Sequence, residues 1–178
     1  WVLLTGSIVH DNQKNIKYFI AQVMDITQKK LLMKKLEHHA NEDYLTGLHN
    51  RRFFFEQGEL EIERSKRLNY QIGVVMLDID YFKKINDLHG HKMGDRVLQH
   101  FSHLLTGILR SIDVIGRIGG EEFAVILPRM SGPEVLEISE RIRETIEKSP
   151  FEMDGSESIY FTVSIGAYLP SSKYLVMD

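Results

Sequence analysis

Between Gln71 and Leu77 the chain reads QIGVVML, an apolar run whose short length and valines favour a buried strand over a helix. From His91 to Arg110 the side chains of Val97, Leu98, Phe101, Leu104, Leu105 and Ile108 fall on a single face, which predicts an amphipathic helix. Asn50 to Arg67 carries Phe53, Phe54, Leu60 and Arg64 at helical offsets. Val114–Ile118 and Phe123–Leu127 are apolar stretches separated by Gly119-Gly120-Glu121-Glu122, the pattern of a hairpin with a glycine turn. Ser131-Gly-Pro-Glu134 starts another helix, with serine as cap and proline and glutamate in the first turn. Val135, Ile138, Ile142 and Ile146 mark its buried stripe, and Ser158 to Leu169 alternates into a final strand. The order α-β-α-β-β-α-β predicts an α+β domain, an antiparallel-containing central sheet flanked by helices.

The chain ahead of that domain has a different texture. Trp1–Thr5 and Tyr18–Met24 read as two extended segments joined by the polar turn His10-Asp11-Asn12-Gln13-Lys14-Asn15. A two-stranded hairpin is marginal in water, so further strands are expected upstream of it. From Thr27 to about Ala40 the sequence is lysine-rich and helical, with Leu32, Met33, Leu36 and Ala40 on one side. A solvated connecting helix and a short coiled-coil seam between two subunits both fit that pattern. The expected division is therefore two strands over 1–26, a linker helix over 27–41 and a compact domain over 42–178.

Composition narrows the possible partners. With 43% hydrophobic and 26% charged residues, the chain has an ordinary globular make-up, long enough for one full domain and part of another. The formal net charge of −3 gives no broad basic footprint for a nucleic-acid polymer or an anionic membrane, so any phosphate ligand must be held locally. The absence of cysteine excludes disulfides, thiolate zinc sites and a cysteine nucleophile, and agrees with a cytoplasmic setting. No apolar run approaches the ~18–20 residues of a membrane helix. The chain opens on Trp1 and has no signal-peptide pattern, so a longer parent protein is expected.

The candidate chemistry is carboxylate chemistry. Asp78-Ile79-Asp80 ends the apolar strand, and residues two apart on a strand share one face, so both acids would leave the sheet together. They are either solvated charges or ligands to a hard cation such as Mg²⁺, which takes oxygen ligands and brings substrate phosphates with it. Glu121-Glu122 follow directly on Gly119-Gly120, where the missing side chains let a turn approach a ligand closely. If that hairpin lies beside the Asp78 strand, three or four carboxylates converge, a poor choice for stability and a good one for phosphoryl transfer. Farther on, Asn86 offers both donor and acceptor and Asp95 an acceptor, which together match the donor and acceptor edge of guanine but not of adenine. Helix capping would be the structural use of the same two residues.

These stretches carry a resemblance. Asp43-Tyr-Leu-Thr-Gly-Leu-His-Asn-Arg-Arg52, Leu77-Asp-Ile-Asp-Tyr-Phe-Lys83, Asn86-Asp, Gly90-His through Gly94-Asp95, and Arg117-Ile-Gly-Gly-Glu-Glu-Phe123 together resemble the GGDEF domain of diguanylate cyclases over about Asn41 to Leu169. The first thirty residues, ending Asp25-Ile-Thr-Gln-Lys29, resemble the last strands of a PAS sensor domain and its exit. The resemblance implies a palm-like fold in which two GTP-loaded domains of a homodimer face each other. Each 3′-hydroxyl attacks the partner's α-phosphate, releasing pyrophosphate and closing cyclic di-GMP. It further implies that Asp78 and Glu121 hold Mg²⁺, with Mn²⁺ as an alternative, while Ile79 offers its carbonyl. Glu122 would be the second carboxylate near the attacking hydroxyl, as metal ligand or proton acceptor. Asn86 and Asp95 would read guanine with His91 lining the pocket, and Phe82 and Lys83 would approach the phosphates.

Arg110-Ser-Ile-Asp113 matches the family's RxxD product-inhibition motif, and Arg141 resembles an arginine that contributes from a neighbouring domain. A surface ion pair at a helix end is the structural alternative. The family continues past Thr162-Val-Ser-Ile-Gly166 through a further helix that brings a lysine and an arginine to the phosphates, and the chain lacks that motif, so a C-terminally truncated domain is expected. The resemblance therefore implies a sensor-controlled cyclase, with a non-catalytic receptor for GTP or cyclic di-GMP as the alternative. A different nucleotide cyclase on a related palm-like fold suits Asn86 and Asp95 less well.

Overall fold

The structure, a computed structural model, describes residues 1–153 and 157–169, and over 34–39 the backbone alone. It divides into two compact units, Trp1–Ala40 and Asn41–Asp178. In the first, β1 (Val2–His10) and β2 (Ile16–Asp25) pair antiparallel, with Leu4 opposite Val23 and Ile8 opposite Phe19. The turn between them is organised by Asp11, whose carboxylate accepts from the backbone N–H of Gln13 and Asn15. Leu4 and Phe19 are each 69% exposed, so this ribbon has apolar side chains and no core of its own. Asp25 accepts from the N–H of Thr27 at 2.8 Å and opens α1 (Thr27–Asn41). Leu32 and Met33 are exposed on that helix, and Leu36 lies outside the described side chains.

The second unit contains β3 (His49–Asn50), α2 (Arg51–Leu68), β4 (Ile72–Ile79), α3 (Phe82–His89), α4 (His91–Ile108), β5 (Val114–Arg117), β6 (Glu122–Pro128), α5 (Gly132–Lys148), β7 (Phe151–Glu152), β8 (Ser158–Ile159) and β9 (Val163–Tyr168). Its central sheet has the order β3-β5-β6-β4-β9. β3 runs parallel to β5, and the other pairings are antiparallel. Alternation along the strands sorts the core into two layers. Val75, Leu77 and Ile79 of β4 and Phe123, Val125 and Leu127 of β6 pack with α3, α4 and α5. Ala124 and Ile126, on the opposite face, pack with Phe54 of α2. The expected α+β architecture is therefore the observed one.

The helices follow from their stripes and caps. On α5 Val135, Ile138, Ile142 and Ile146 are all buried, and Ser131 and Glu134 form a reciprocal capping box at its start. On α4 the buried apolar side chains are Val97, Leu98, Phe101 and Leu105. On α2 Asn50 accepts from the N–H of Phe53 as the N-cap, but Leu60 is 55% exposed, and Gly58, Glu61 and Ser65 take the buried positions instead.

Two expectations need correction. Ser158 to Leu169 is two strands rather than one: β8 pairs with β7 in a separate two-stranded sheet, and only β9 joins β4. The eight-residue α3 was not expected at all, because its two buried side chains, Phe82 and Ile85, are too few to announce a period. Residues 154–156 and 170–178, part of the expected domain, lie outside the described residues.

Candidate active site

The register of the sheet brings the acidic motifs together. Asp78, near the end of β4, sits directly opposite Glu122 on β6 and opposite Ser164 on β9. The backbone N–H of Ile79 donates to the carbonyl of Glu121 at 3.3 Å, so the turn bearing both glutamates lies against the end of β4. Burial pushes the Asp78 carboxyl above its ordinary value, and the neighbouring charges of Glu121, Glu122 and Asp80 push it further. Ile79, between the two aspartates, has its side chain in the core.

Asp80 departs from the expectation that it leaves the sheet alongside Asp78. Its two carboxylate oxygens accept from the hydroxyls of Thr162 and Ser164, each at 2.6 Å, while its own N–H donates to the carbonyl of Thr162. Those bonds occupy it, and Asp78 remains as the carboxylate of this pair turned to the glutamates.

Gly119 makes room for the cluster. A Cβ at that position would lie 2.3 Å from Oε2 of Glu122, so a side chain there would displace the Glu122 carboxylate. The turn is held from outside by Arg117, which donates to the carbonyl of Gly120 through Nε at 3.0 Å and Nη2 at 2.7 Å. Its remaining arm reaches Oδ1 of Asp43 at 3.0 Å. The same oxygen accepts from the hydroxyl and N–H of Thr46. Burial pushes the Asp43 carboxyl up, but Thr46 and Arg117 outweigh it and hold the group below its ordinary value. The sequence marked Asp43 and Arg117 as motif residues without giving them this job.

Beyond Asp80 the chain turns sharply at Tyr81, in left-handed conformation at φ 55°, and enters α3 at Phe82 and Lys83. Phe82 is buried and Lys83 exposed. Gly90, at φ 82°, ends α3 and admits α4, so that the two helices form a hairpin with Asn86 on the first and His91 and Asp95 on the second. His91 and Asp95 are exposed and Asn86 is half-buried. Oδ1 of Asn86 is buried without a hydrogen-bond partner among the described residues. It faces Gly94, where a Cβ would lie 2.0 Å away.

Arg110, Asp113 and Arg141 gather elsewhere, around the connection between α4 and β5. Asp113 accepts from the Arg110 N–H at 2.7 Å and from its guanidinium at 3.0 Å, and only 1% of its side chain is exposed. Arg110 also donates to the carbonyl of Pro128, and Arg141 to that of Ile108.

Comparison with known proteins decides the family. The family model "Diguanylate cyclase, GGDEF domain" matches residues 40–174. The chain belongs to the GGDEF family. The chain is 42% identical over 139 residues to the response regulator PleD of Caulobacter vibrioides, covering 76% of this chain and 31% of PleD. With diguanylate cyclase DosC of Escherichia coli it shares 35% identity over 152 residues, 85% of this chain and 33% of DosC. This GGDEF chain thus spans about a third of the length of those curated relatives. Its fold matches that of the coiled coil and GGDEF domain of DgcB from Caulobacter crescentus, solved in complex with c-di-GMP. The TM-score is 0.78 at 25% identity, covering 84% of this chain and 79% of that one.

Among the described residues no three carboxylate or histidine side chains are close enough to enclose a metal ion. For Mg²⁺ that is no misfit, because this ion keeps several waters and binds through one or two carboxylates plus substrate phosphates. A hard oxygen donor set, and an Asp78 carboxyl raised first by burial and then by the charges of Glu121, Glu122 and Asp80, suit such an open site.

Proposed function

We propose that this GGDEF domain is a diguanylate cyclase that condenses two GTP to cyclic di-GMP and two pyrophosphate. The observation that carries the reading is the register that sets Asp78 opposite Glu122 and the end of β4 against Glu121; burial raises the Asp78 carboxyl, and the charges of Glu121, Glu122 and Asp80 raise it further. Crowded anions destabilise a fold, and they are useful where a cation and a phosphate chain enter between them.

In this reading Asp78 and Glu121 hold Mg²⁺, or Mn²⁺, together with the carbonyl of Ile79. When bound, the ion neutralises charge on the phosphates. Positioning and charge neutralisation are nearly all that phosphoryl transfer asks of a protein. The first turn of α3, Phe82 and Lys83, borders the phosphates. Asn86 and Asp95 read the guanine, with His91 at the pocket wall. A buried acceptor without a donor, as Oδ1 of Asn86 is, matches the N–H groups of that base. Glu122 supplies the second carboxylate beside the attacking 3′-hydroxyl. One domain holds one GTP, so closing the ring needs two facing domains, and the working unit is a homodimer.

Arg110, Asp113 and Arg141 form a separate product-binding site through which cyclic di-GMP limits its own synthesis. The ribbon Trp1–Asp25 belongs to a PAS-type sensor whose signal passes along α1, with the GGDEF domain on the cytoplasmic side whether the parent protein is free or anchored to a membrane upstream. Among the described residues no helix is long and apolar enough to cross a membrane. A receptor without catalysis is less favoured, because Asp78, Glu121 and Glu122 are all present and juxtaposed.

The test is incubation with GTP and Mg²⁺ followed by chromatography. Cyclic di-GMP as product supports the reading, and intact GTP under conditions where the protein binds it supports the receptor.

A further inference from the structure

We propose that Asp80 is a positioning residue whose hydrogen bonds to Thr162 and Ser164 hold the left-handed turn at Tyr81 and thereby aim the first turn of α3 at the substrate phosphates. The last step rests on the reading of this site as a GTP site, whereas the clamp and the turn are independent of it.

Three observations converge. First, Tyr81 is one of four non-glycine residues at positive φ among the described residues, and it stands where β4 gives way to α3, with φ 55° and ψ 28°. A residue with a Cβ is disfavoured in that region and stays there only when its surroundings over-determine it. Second, the helix start offers no such hold of its own, because Tyr81 makes no side-chain capping bond. Local support comes from the Lys84 N–H, which donates to the Tyr81 carbonyl at 2.8 Å, and from the Lys84 ammonium, 4.2 Å from the centre of the Tyr81 ring. Third, the residue before the turn is fixed three times over. Its two carboxylate oxygens take the Thr162 and Ser164 hydroxyls at 2.6 Å, and its N–H reaches the Thr162 carbonyl at 3.0 Å.

Those bonds tie the turn to the start of β9, the edge strand that pairs with β4. They also separate the two aspartates by role. Asp78 faces Glu121 and Glu122, and Asp80 faces two hydroxyls. A carboxylate that accepts two short, charge-assisted hydrogen bonds is well suited to orienting backbone. Loss of the clamp leaves the strained turn free to relax, and the amides and side chain of Phe82–Lys83 lose their aim relative to Asp78.

The test compares Asp80→Ala, Asp80→Asn, Tyr81→Gly and Asp80→Ala with Tyr81→Gly. Exchange of the Lys84 amide in the ligand-free protein reads the turn, with the Val125 amide in the buried strand β6 as the control for global unfolding. Asp80→Ala is expected to speed Lys84 exchange by about tenfold or more and leave Val125 unchanged, the scale set by loss of charge-assisted hydrogen bonds. Mg²⁺-GTP affinity by calorimetry should fall by a similar factor, with the preference for GTP over ATP retained. Asp80→Asn keeps an acceptor and a donor for the two hydroxyls and should stay within about threefold of the unaltered protein. Glycine adopts the left-handed conformation freely, so Tyr81→Gly should restore most of the affinity lost in Asp80→Ala. Unchanged Lys84 exchange in Asp80→Ala overturns the proposal. So does an Asp80→Asn variant as defective as Asp80→Ala with no recovery by Tyr81→Gly, the behaviour of a direct metal ligand. If the unaltered protein binds no GTP, the functional reading fails by itself, and the exchange comparison still decides whether Asp80 holds the turn.

Discussion

Arg117 and Asp43, 74 residues apart, meet at 3.0 Å and tie the entrance of the domain to the turn that carries its glutamates. The pair is largely sheltered, with 13% and 17% of the two side chains exposed. The other edge of the guanidinium grips the Gly120 carbonyl, so one residue sets both the turn and its anchor. Removing one partner of such a pair strands the other.

Arg117→Ala is therefore expected to destabilise the domain by about 3 kcal/mol, near the lower end for breaking a buried ion pair. Cyclic di-GMP synthesis should fall as well, because Glu121 and Glu122 lose their support. Arg117→Lys should recover part of the stability and little of the activity, since an ammonium cannot hold Gly120 and Asp43 through a planar fork. Denaturant melts alongside initial rates separate the two effects.

Asp43 and Asp78, shifted in opposite directions, give opposite pH signatures. The Asp43 carboxyl is depressed, so the stability it contributes is fully present above its ordinary value of 3.8 and is lost as pH falls through its lower folded value. The Asp78 carboxyl is raised, so in the metal-free protein its ionisation opposes folding as pH climbs above 3.8 through the folded value. Asp78→Asn should abolish synthesis while leaving the melting temperature at pH 7 unchanged or higher. Added Mg²⁺ with GTP should raise the melting temperature of the unaltered protein by linkage and leave that of Asp78→Asn nearly where it was. Scanning calorimetry on both, with and without ligand, checks this.

Two glycine substitutions should behave differently. In Gly94→Ala the new methyl meets Oδ1 of Asn86 at 2.0 Å and the Phe82 ring at 3.2 Å, so α3 must shift from α4. Overpacking of that kind costs about 1–3 kcal/mol, and GTP affinity should drop with it. In Gly119→Ala the methyl meets only the Glu122 side chain, whose carboxylate is its mobile end. Synthesis should fall there with little change in melting temperature. Equal losses of stability in the two variants would contradict this account.

At the separate arginine site, Arg110→Ala should weaken cyclic di-GMP binding by about tenfold or more, since an arginine fork lost from a phosphate or guanine edge is worth ~1.5–3 kcal/mol. Initial rates should be preserved, because the carboxylates of Asp78 and Glu121 lie elsewhere. A stability loss is expected too, as Asp113, 1% exposed, loses its partner. Unaltered product affinity by calorimetry would leave Arg110 and Asp113 as an ion pair only.

The parts of this domain that the sequence announced are those whose information is local. The stripes of α4 and α5 repeat over about three turns, and the apolar run before Asp78 favours a buried strand. The five motifs carried the family. What escaped depends on partners far along the chain. Asp80 looked equivalent to Asp78, and only the pairing of β4 with β9 reveals the hydroxyls of Thr162 and Ser164 that occupy it. Arg117 read as the flank of a glycine turn, and Asp43 as the first letter of a motif. The break at Tyr160–Thr162 could not be read from alternation, because Ile159, Phe161 and Val163 stay buried on both sides of it. α3 is short, and its polar residues gave chemistry rather than periodicity.

The most direct test is steady-state release of pyrophosphate from GTP and Mg²⁺, followed alongside cyclic di-GMP formation in the unaltered protein and in Glu121→Gln. The account predicts one pyrophosphate per GTP consumed, half as many cyclic di-GMP molecules, a rate rising faster than linearly with protein concentration, and no turnover in Glu121→Gln. A linear dinucleotide as end product, with one pyrophosphate per two GTP, or turnover that survives Glu121→Gln, would contradict it.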